Sequence, residues 1–474
     1  MTDMTDAELR EARIALADLV ERFARTEIAP NVTAWDAAGE FPRALYRRAA
    51  ELGLLGMGYP EEFGGTPAPH ALRMVMWRAL CRFGTSGGVQ ASLLSHNIGL
   101  PPVVALASDA VKREVVPPVL AGEKIAALAI TEPGGGSDVA AVRTTARREG
   151  DEYVVDGEKI FITSGMRADW ITVAVRTGEI DAPTLPAAHG ALALPAAEPP
   201  ESAPLRAVQA RAGEPGAAAL SPEGTAATLA RGGGGGGVKG AGGISLLLVP
   251  GDSKGLSRTR LDKMGWLCSD TAQLRFDGVR VPARYLLGAE GAGFKAIMGN
   301  FNGERFGIAA GALGFAEACY DEALAWAQQR KAFGQALVGH QVIRHKLVDM
   351  QQHIRATAAW LEQLAARADG GDTGAAVPPG RPKAQQPPWG AATHAQQASV
   401  GADNDWVGEV AALKNQATQT LQFCADAGVQ ILGGMGYMRG TVCERIYREV
   451  KVITIGGGTE EIMKELAAKQ WGIV

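Results

Sequence analysis

The sequence predicts an α+β protein of several domains, with helices at both ends and strands between them. Apolar residues recur at helical spacing as far as Leu120 and again from Gly291 onward, and the segments between these parts are shorter and alternate. A chain of 474 residues, 46% hydrophobic and 21% charged, is long enough for two or three globular domains. We expect a helical domain over residues 1–126, a β domain over 127–287 and a helical bundle over 288–474.

The N-terminal domain is predicted to be all-helical. Its first helix is expected over residues 6–25, with either Thr5 or Asp6 placed to cap the helix start. The apolar positions that define this helix are Leu9, Ile14, Leu16, Leu19, Val20 and Phe23. A later helix carries His96 in the run SLLSHNIGL, and we interpret His96 as a packing histidine whose hydrogen bonds are satisfied within the fold.

The central domain is predicted to be a compact β domain. Its strand signals are short segments in which apolar residues alternate or cluster. The segments are Tyr153–Val155, Ile171–Val175, Ile244–Val249 and Gln273–Phe276. Segments this short favour strands over helices.

Two tracts of biased composition interrupt the second and third domains. Residues 178–242 are rich in Ala, Pro and Gly and include six consecutive glycines, whereas residues 369–404 are rich in Pro, Gly, Ala and Gln. Such composition buries too little apolar surface to offset the entropy that ordering removes. We expect disordered insertions, and both a dispensable excursion and a partner-binding segment are open interpretations.

The C-terminal domain is predicted to be a bundle of antiparallel helices. Its first helix is expected over Arg305–Arg330, where the small residues 309–312 permit close packing against a neighbouring helix. Further helices are expected at about 342–368, 406–428 and 461–469.

Composition narrows the function classes. A net charge of −4 with no sustained basic run argues against nucleic acid or an anionic membrane as the main partner, and no apolar run approaches the ~20 residues of a membrane helix. The five cysteines lack metal-ligand spacing, so we expect buried free thiols and no metal site. The acidic, amphipathic N-terminus is unlike a secretory or transit signal, which predicts a cytoplasmic protein.

The segment AITEPGGGSDVAA, residues 129–141, concentrates groups that handle a ligand. Thr131 offers a hydroxyl, and Pro133 fixes a bend because its ring restricts φ. The glycines 134–136 let backbone amides approach a ligand, and Ser137 adds a second hydroxyl. Glycine runs often mark plain turns, so a turn and a phosphate- or flavin-facing loop are both open from this segment alone.

A second segment, DGEKIFITSG at residues 156–165, favours the ligand-binding interpretation. It alternates like a strand and places Phe161 and Thr163 on one face, two residues apart. An aromatic plane beside a hydroxyl suits a flat ring that needs a hydrogen bond at its edge.

Together, TEPGGGSD and DGEKIFITSG resemble the acyl-CoA dehydrogenase flavoprotein family, and further motifs extend the resemblance over nearly the whole chain apart from the two tracts. The resemblance implies a helical N-terminal domain, a β-barrel-like central domain and a C-terminal four-helix bundle. It also implies an FAD cofactor, because no amino-acid side chain accepts the hydride that leaves an acyl-CoA. The two tracts depart from the family, in which the flanking elements are joined by short connections.

The resemblance also implies which residues hold the flavin. Thr131 and Thr163 would hydrogen-bond the edge of the isoalloxazine ring, and Phe161 would pack on it. Ser137 would serve the pyrophosphate and the nearby acyl-CoA. Further matching positions, some of them contributed to a neighbouring subunit of a homo-oligomeric dimer or tetramer, are Arg330, Phe333, Gln341, Gln430, Gly434, Thr459 and Glu461.

The catalytic base is the least regular part of the resemblance. Most members carry a glutamate two residues before a threonine in the C-terminal signature, but this segment reads IGGGTEE and the matching residue is Gly457. One branch, which includes long-chain and isovaleryl enzymes, takes its base from an earlier helix, immediately before an arginine. By that resemblance we predict Glu304 as the α-proton base, with a raised pKa in an apolar chamber, and Arg305 as a substrate-binding residue. A solvated glutamate at a helix start is the competing interpretation.

The resemblance implies an acyl-CoA substrate and an electron-transfer flavoprotein as electron acceptor. The runs WLCSDT and IGGGTEEIMKEL favour bacterial enzymes for longer or branched acyl chains, such as citronellyl-CoA dehydrogenase. Two alternatives stay open. One is an acyl-CoA oxidase or flavin monooxygenase on the same scaffold, and the other is a non-catalytic flavin-binding or DNA-associated relative.

Overall fold

The computed structural model describes residues 4–177, 240–370 and 405–474, and the two tracts predicted as insertions lie outside these residues except at their ends. The N-terminal part is helical, as predicted. Its helices α1 to α8 are Asp6–Phe23, Val32–Ala38, Ala44–Glu51, His70–Gly84, Gly87–Leu93, His96–Gly99, Pro101–Leu106 and Asp109–Leu120.

Helix α1 begins with a capping box. The Thr5 Oγ1 accepts a hydrogen bond from the Glu8 backbone N–H at 3.3 Å, and the Glu8 carboxylate accepts one from the Thr5 N–H at 2.7 Å. The two side chains thereby satisfy backbone donors that the first turn of a helix leaves unpaired. Of the two candidate caps, Thr5 is the one used.

The central part is an eight-stranded sheet within the described residues. Its strands β1 to β8 are Ala126–Ala129, Thr145–Glu149, Glu152–Thr163, Trp170–Arg176, Ile244–Pro250, Leu256–Arg260, Thr271–Pro282 and Leu286–Leu287. They lie in the order β6-β7-β3-β2-β4-β5-β8, and β1 pairs in parallel with β4. Each predicted strand segment lies inside an observed strand, so the central β domain is confirmed.

The C-terminal part is helical again, with one short hairpin after its first helix. The hairpin pairs β9, Lys331–Ala332, with β10, Gln335–Ala336. The helices α9 to α13 are Gly293–Gln329, Gln341–Ala368, Asp405–Leu432, Val442–Ile455 and Glu460–Gln470. Helix α12 has no counterpart among the predicted helices.

Helix α9 begins at Gly293, well before the predicted start at Arg305. The stretch between them is rich in glycine and asparagine, which have low helix propensity. Packing overrides that propensity, because Ile297 is only 1% exposed and belongs to the core beneath the sheet. The predicted helix start was therefore wrong, and Glu304 lies inside the helix.

Two apolar cores lie in the described part of the chain. One is shared by the N-terminal helices and the sheet, and the other fills the C-terminal helices and includes Cys81 of α4. Helices α4 and α9 approach closely at small residues of α9. A Cβ at Gly311 would lie 3.1 Å from the Cys81 Sγ, and one at Gly314 would lie 2.2 Å from the Arg78 carbonyl oxygen. The predicted close packing is confirmed.

His96 is a buried packing residue, as predicted. Its Nε2 donates to the Leu55 carbonyl oxygen at 2.9 Å, and its ring lies 5.8 Å from that of Tyr59. Burial lowers the pKa of His96 to about 4, because the charged imidazolium would lose its hydration. A neutral histidine with a satisfied donor is therefore part of the core.

All five cysteines are buried free thiols, which confirms that prediction. Among residues 4–177, 240–370 and 405–474, no group of His, Cys, Asp or Glu is arranged to hold a metal ion. Within the same residues, every helix is too short or too polar to span a bilayer.

Candidate active site

Glu304 lies about three turns into α9, directly before a buried part of that helix. The residues that follow it, Arg305, Phe306 and Gly307, are buried, and Glu304 itself is half-buried. Burial raises the pKa of its carboxyl to about 7, although the cations of Arg305 and Lys414 favour the ionised form. Glu304 therefore does not stand at a helix start, as the competing interpretation required, and its role as the base stays a prediction.

Gly457 lies in the turn between α12 and α13, next to the Glu304 carboxylate. Its φ is +68°, in the left-handed region that side chains rarely adopt. A Cβ built on this glycine would lie 3.9 Å from the Glu304 Oε1 and 2.7 Å from the Ile308 Cδ1. Residues 304 and 457, the two candidate positions of the base, therefore lie next to each other in the fold.

Arg305 binds the same turn from the side of α9. Its Nε donates to the Gly457 carbonyl oxygen at 3.0 Å, and its Nη1 donates to the Asn302 Oδ1 at 3.1 Å. The guanidinium also lies 5.4 Å from the centre of the Phe301 ring. These contacts give Arg305 a role in holding the turn, and its predicted substrate contact stays a prediction.

Lys414 binds the turn from the side of α11. Its side chain is fully buried, and its Nζ donates to the carbonyl oxygens of Thr454, at 3.1 Å, and Gly458, at 2.7 Å. Burial lowers the pKa of Lys414 to about 8. No sequence motif indicated Lys414, although a single lysine between Leu413 and Ala417, which are both buried, was a signal for it.

The glycine loop that follows β1 forms a tight turn. Glu132 and Gly135 exchange two backbone hydrogen bonds of 3.0 Å, so the chain reverses over Pro133 and Gly134. A Cβ at Gly134 or Gly135 would meet no atom of the described residues within 4 Å, and neither glycine has a positive φ. The described fold thus does not require glycine there, whereas a ligand close to the backbone would. Ser137 is exposed on the same loop.

A buried ion pair anchors this loop to β3. The Lys159 Nζ donates to the Ile130 carbonyl oxygen at 2.9 Å and to the Glu132 carboxylate at 2.8 Å. The same carboxylate accepts hydrogen bonds from the backbone N–H groups of Arg143 and Thr144, at 2.8 and 2.9 Å. Burial lowers the pKa of Lys159 to about 8. No sequence motif indicated this ion pair, although a lysine inside a strand segment was a signal for it.

Phe161 and Thr163 lie on either side of the buried Ile162 at the end of β3. The pairing of β3 with β7 shifts between Lys159 and Ile162, and Phe161 has a φ of +62°. This bulge interrupts the simple alternation from which a shared face was predicted. The Phe161 side chain is 67% exposed, and Thr163 is half-buried.

Thr131 brings the two sequence segments together. Its hydroxyl donates to the Ile160 carbonyl oxygen, and its own carbonyl accepts from the Ile160 N–H at 2.9 Å. The start of the glycine loop therefore lies directly beside the residue that precedes Phe161. An exposed ring, a threonine hydroxyl and a glycine turn with room for a ligand fit a flavin, which Thr131, Thr163, Phe161 and the loop would hold.

Thr459 and Glu461 lie at the start of α13. The Thr459 Oγ1 accepts a hydrogen bond from the Ile462 N–H at 3.3 Å, so this threonine caps the helix. Glu461 is exposed, and hydrogen bonds from its own backbone N–H and from Thr459 lower the pKa of its carboxyl. The assignment of Thr459 and Glu461 to FAD stays a prediction.

The remaining predicted flavin residues lie on the surface of the C-terminal part. They are all exposed, and they are Arg330, Phe333, Gln341, Gln430 and Gly434. The Phe333 ring is 96% exposed. In the described part of the chain, the Arg330 side chain makes no hydrogen bond or ion pair, and no side-chain hydrogen bond joins these residues to the glycine loop. Surface positions of this kind suit residues that reach a neighbouring subunit.

The fold and the comparisons with known proteins identify the protein as an oxidoreductase. Its residues match three family profiles in order. Residues 10–123 match the acyl-CoA dehydrogenase N-terminal domain, residues 127–220 match the middle domain, and residues 291–380 and 390–472 match the C-terminal domain. The chain belongs to the acyl-CoA dehydrogenase family, whose members are flavoproteins of fatty acid β-oxidation.

Individual relatives agree with this assignment. The chain is 30% identical to a probable acyl-CoA dehydrogenase of Bacillus subtilis, with 98% of each chain covered. It is also 30% identical to the mitochondrial long-chain specific acyl-CoA dehydrogenase of Mus musculus, over 98% of this chain and 89% of that protein. The crystal structure of a probable acyl-CoA dehydrogenase from Mycobacterium abscessus is 38% identical, covers 97% of this chain and 98% of its own, and has a TM-score of 0.76.

Proposed function

We propose that the protein converts an acyl-CoA thioester to the trans-2-enoyl-CoA, with Glu304 as the base that removes the α proton. FAD, when bound, would supply at flavin N5 the acceptor for the β hydrogen, which the substrate would lose as hydride. Proton and hydride account for the two hydrogens that the substrate loses. The observation that carries the proposal is the 3.9 Å between the Glu304 Oε1 and the Cβ position of Gly457, because a carboxylate at either residue would serve the same point in space.

The surroundings of Glu304 suit a general base. Burial raises its pKa to about 7, so the carboxylate is a stronger base than an exposed glutamate and is still ionised at neutral pH in a large fraction of molecules. Proton transfer is most efficient when the pKa of the base lies near the working pH. The buried Arg305 and Lys414 keep the ionised form accessible.

The residues around the glycine loop would hold and orient the cofactor. Thr131 and Thr163 would bond the edge of the flavin ring, Phe161 would cover its face, and Ser137 with the glycine amides would bind the pyrophosphate. On the exposed C-terminal surface, Arg330 would bind the pyrophosphate of FAD in a neighbouring subunit, because a guanidinium pairs well with phosphate oxygens. We therefore propose a homo-oligomer, a dimer or a tetramer.

The proposed substrate and electron acceptor rest on the family alone and are less specific than the proposed base. We propose an acyl chain that is longer or branched, which agrees with the similarity to a long-chain specific enzyme. An electron-transfer flavoprotein is the proposed acceptor. The cytoplasmic location stays a prediction from the sequence.

Anaerobic mixing of the flavin-loaded protein with acyl-CoA thioesters tests the reaction. We expect the visible flavin absorbance to bleach and trans-2-enoyl-CoA to form, faster with long or branched chains than with short ones. Slow reoxidation in air is expected of a dehydrogenase, whereas rapid peroxide formation would identify an acyl-CoA oxidase or a flavin monooxygenase. Absence of bleaching with every thioester would contradict the proposal and favour a non-catalytic relative.

Moving the base to residue 457 tests the geometry of the site. In the Glu304→Gly background, Gly457→Glu combined with Ile308→Val should recover flavin reduction by about tenfold or more, because a carboxylate returns to the same point. Ile308→Val is included because the Ile308 Cδ1 would lie 2.7 Å from the new Cβ. Recovery should be incomplete, since a side chain at a φ of +68° is strained by roughly 1–2 kcal/mol.

Gly456→Glu in the same Glu304→Gly background is the matched control. Within the described part of the chain, a Cβ at Gly456 would meet only the Val452 carbonyl oxygen within 4 Å and no atom of Glu304. This variant adds the same carboxylate one residue away and should recover nothing. Equal recovery by both variants would show that the position of the carboxylate does not matter.

A further inference from the structure

Lys414 connects three elements around the candidate base. From α11 its Nζ reaches the Thr454 carbonyl oxygen at the end of α12 and the Gly458 carbonyl oxygen in the turn before α13. Its side chain is fully buried, so water does not replace these contacts. A buried ammonium is stable only where its donors are satisfied, so these two hydrogen bonds offset part of the cost of burying the Lys414 charge.

The turn at residues 456–458 depends on such contacts. Gly457 and Gly458 have φ values of +68° and +107°, outside the helical region, so regular helix hydrogen bonds do not hold them. Instead, the Gly457 carbonyl accepts from Arg305 at 3.0 Å and the Gly458 carbonyl accepts from Lys414 at 2.7 Å. Two buried cations, one on α9 and one on α11, therefore clamp consecutive carbonyls of the turn that lies against Glu304.

We propose that Lys414 is a positioning residue of the reaction, which holds the glycine turn against the Glu304 carboxylate and places a buried positive charge beside that turn. The inference rests on the proposed function, because it concerns Glu304 as the base. Among the described residues, the Lys414 Nζ donates only to carbonyl oxygens, so it acts through the turn and through its charge.

The charges around Glu304 and Lys414 predict the direction in which the pKa of Glu304 changes when the Lys414 charge is removed. Glu304 is influenced by Arg305 on its own helix and by Lys414, and both oppose the effect of burial, which raises the Glu304 pKa to about 7. Lys414 in turn is influenced by Glu460 and Glu461 of α13, as well as by Arg305 and Glu304. Without the Lys414 cation, Arg305 alone would oppose burial, and the pKa of Glu304 would rise further.

The pH dependence of anaerobic flavin reduction tests this inference. In Lys414→Met, we expect the acidic limb of the rate profile to move to higher pH by about one unit, while the rate at alkaline pH stays within a few-fold of the wild type. Lys414→Gln should show the same shift, because it also removes the charge, with a smaller loss of the alkaline rate because its amide can still donate. Lys469→Met is the matched control, since Lys469 is an exposed lysine at the end of α13. It should leave the profile unchanged.

Hydrogen–deuterium exchange provides a readout that does not depend on the flavin. The peptide that spans residues 453–462 should exchange faster in Lys414→Met than in the wild type, with Lys414→Gln between them, because the turn loses one of its two clamps. The Lys469→Met control should show wild-type exchange.

The outcomes separate this inference from the proposed function. An active Glu304→Gln variant would overturn the proposed function. If Glu304→Gln is inactive but Lys414→Met keeps the wild-type acidic limb and wild-type exchange, only the positioning role is overturned. Failure of both Lys414 variants to fold would also overturn it, because Lys414 would then serve the stability of the fold and not the reaction.

Discussion

Glu304→Gln is expected to slow flavin reduction by acyl-CoA about 10³-fold, because the amide cannot accept the α proton. The flavin should stay bound, since the residues proposed to hold it lie on the glycine loop and β3 and on the exposed C-terminal surface. Stopped-flow absorbance under anaerobic conditions measures both effects in one sample. In the wild type the rate should fall as the pH drops below about 7, because the carboxyl takes up its proton there.

Glu465→Gln is the appropriate control for Glu304→Gln. Glu465 is an exposed residue of α13 that pairs with Lys469 at the surface, so the substitution removes a carboxylate of the C-terminal part without touching the proposed base or Lys414. Its rate should stay within a few-fold of the wild type. A Glu304→Gln variant with near-normal activity, or an equal loss in both variants, would contradict the assignment of the base.

The Glu304→Gln variant should be more stable than the wild type at neutral and alkaline pH. Because the folded-state pKa of Glu304 lies near 7 and its ordinary value is 4.5, the free energy of unfolding falls as the pH rises between these values. Glutamine removes that loss, which we estimate at roughly 1–3 kcal/mol for a half-buried group. Thermal unfolding at pH 8 and at pH 4 should show the gain only at the higher pH. Lower stability of the variant at both values would contradict a raised pKa.

Glu132→Gln is expected to lower the free energy of unfolding by about 3 kcal/mol, because it leaves the buried Lys159 ammonium without its counter-ion. The glycine loop should also bind flavin more weakly, since the Glu132 carboxylate joins Lys159 to the backbone of Arg143 and Thr144. Chemical denaturation of the apoprotein measures the first effect, and flavin titration measures the second.

A double variant and a surface control make this test specific. Glu132→Gln with Lys159→Met should be more stable than Glu132→Gln alone, because the unpaired charge is then absent. Glu158→Gln, on the neighbouring position of β3 and 39% exposed, should change stability by less than about 0.5 kcal/mol. If the double variant is no more stable than Glu132→Gln, the unpaired Lys159 charge is not the cause of the lost stability.

Acidic pH offers an independent check on the same pair. Burial alone would raise the pKa of Glu132, but Lys159 and Thr144 lower it below the ordinary value of 4.5. The stabilisation is therefore present above pH 4.5 and is lost as the pH falls through the lowered pKa. The difference in stability between wild type and Glu132→Gln should shrink over that range.

Much of the fold could be predicted because its signals are local. The helix start at Thr5, the strand segments of the sheet and the small residues of α9 are encoded by spacing and residue type over a few positions. The start of α9 was misplaced because glycine and asparagine there have low helix propensity, while the packing of Ile297 involves distant elements. Helix α12 was missed altogether.

The candidate site also contains residues that short motifs indicate and one residue that they do not. Motifs named Glu304, Thr131, Phe161 and the glycine loop as candidates, since each stands in a short run of characteristic residues. Motifs did not reveal Lys414, which acts on a turn 40 or more residues along the chain, at Thr454 and Gly458.

By itself, the sequence determined the order of helical and β parts, the family and the identity of the proposed base. Only the tertiary structure decided that Glu304 is half-buried beside Gly457, and that Arg305 and Lys414 clamp the turn between them. The physical reason is that a carboxyl gains or loses basicity through desolvation and neighbouring charge, and both depend on which distant parts of the chain pack around it.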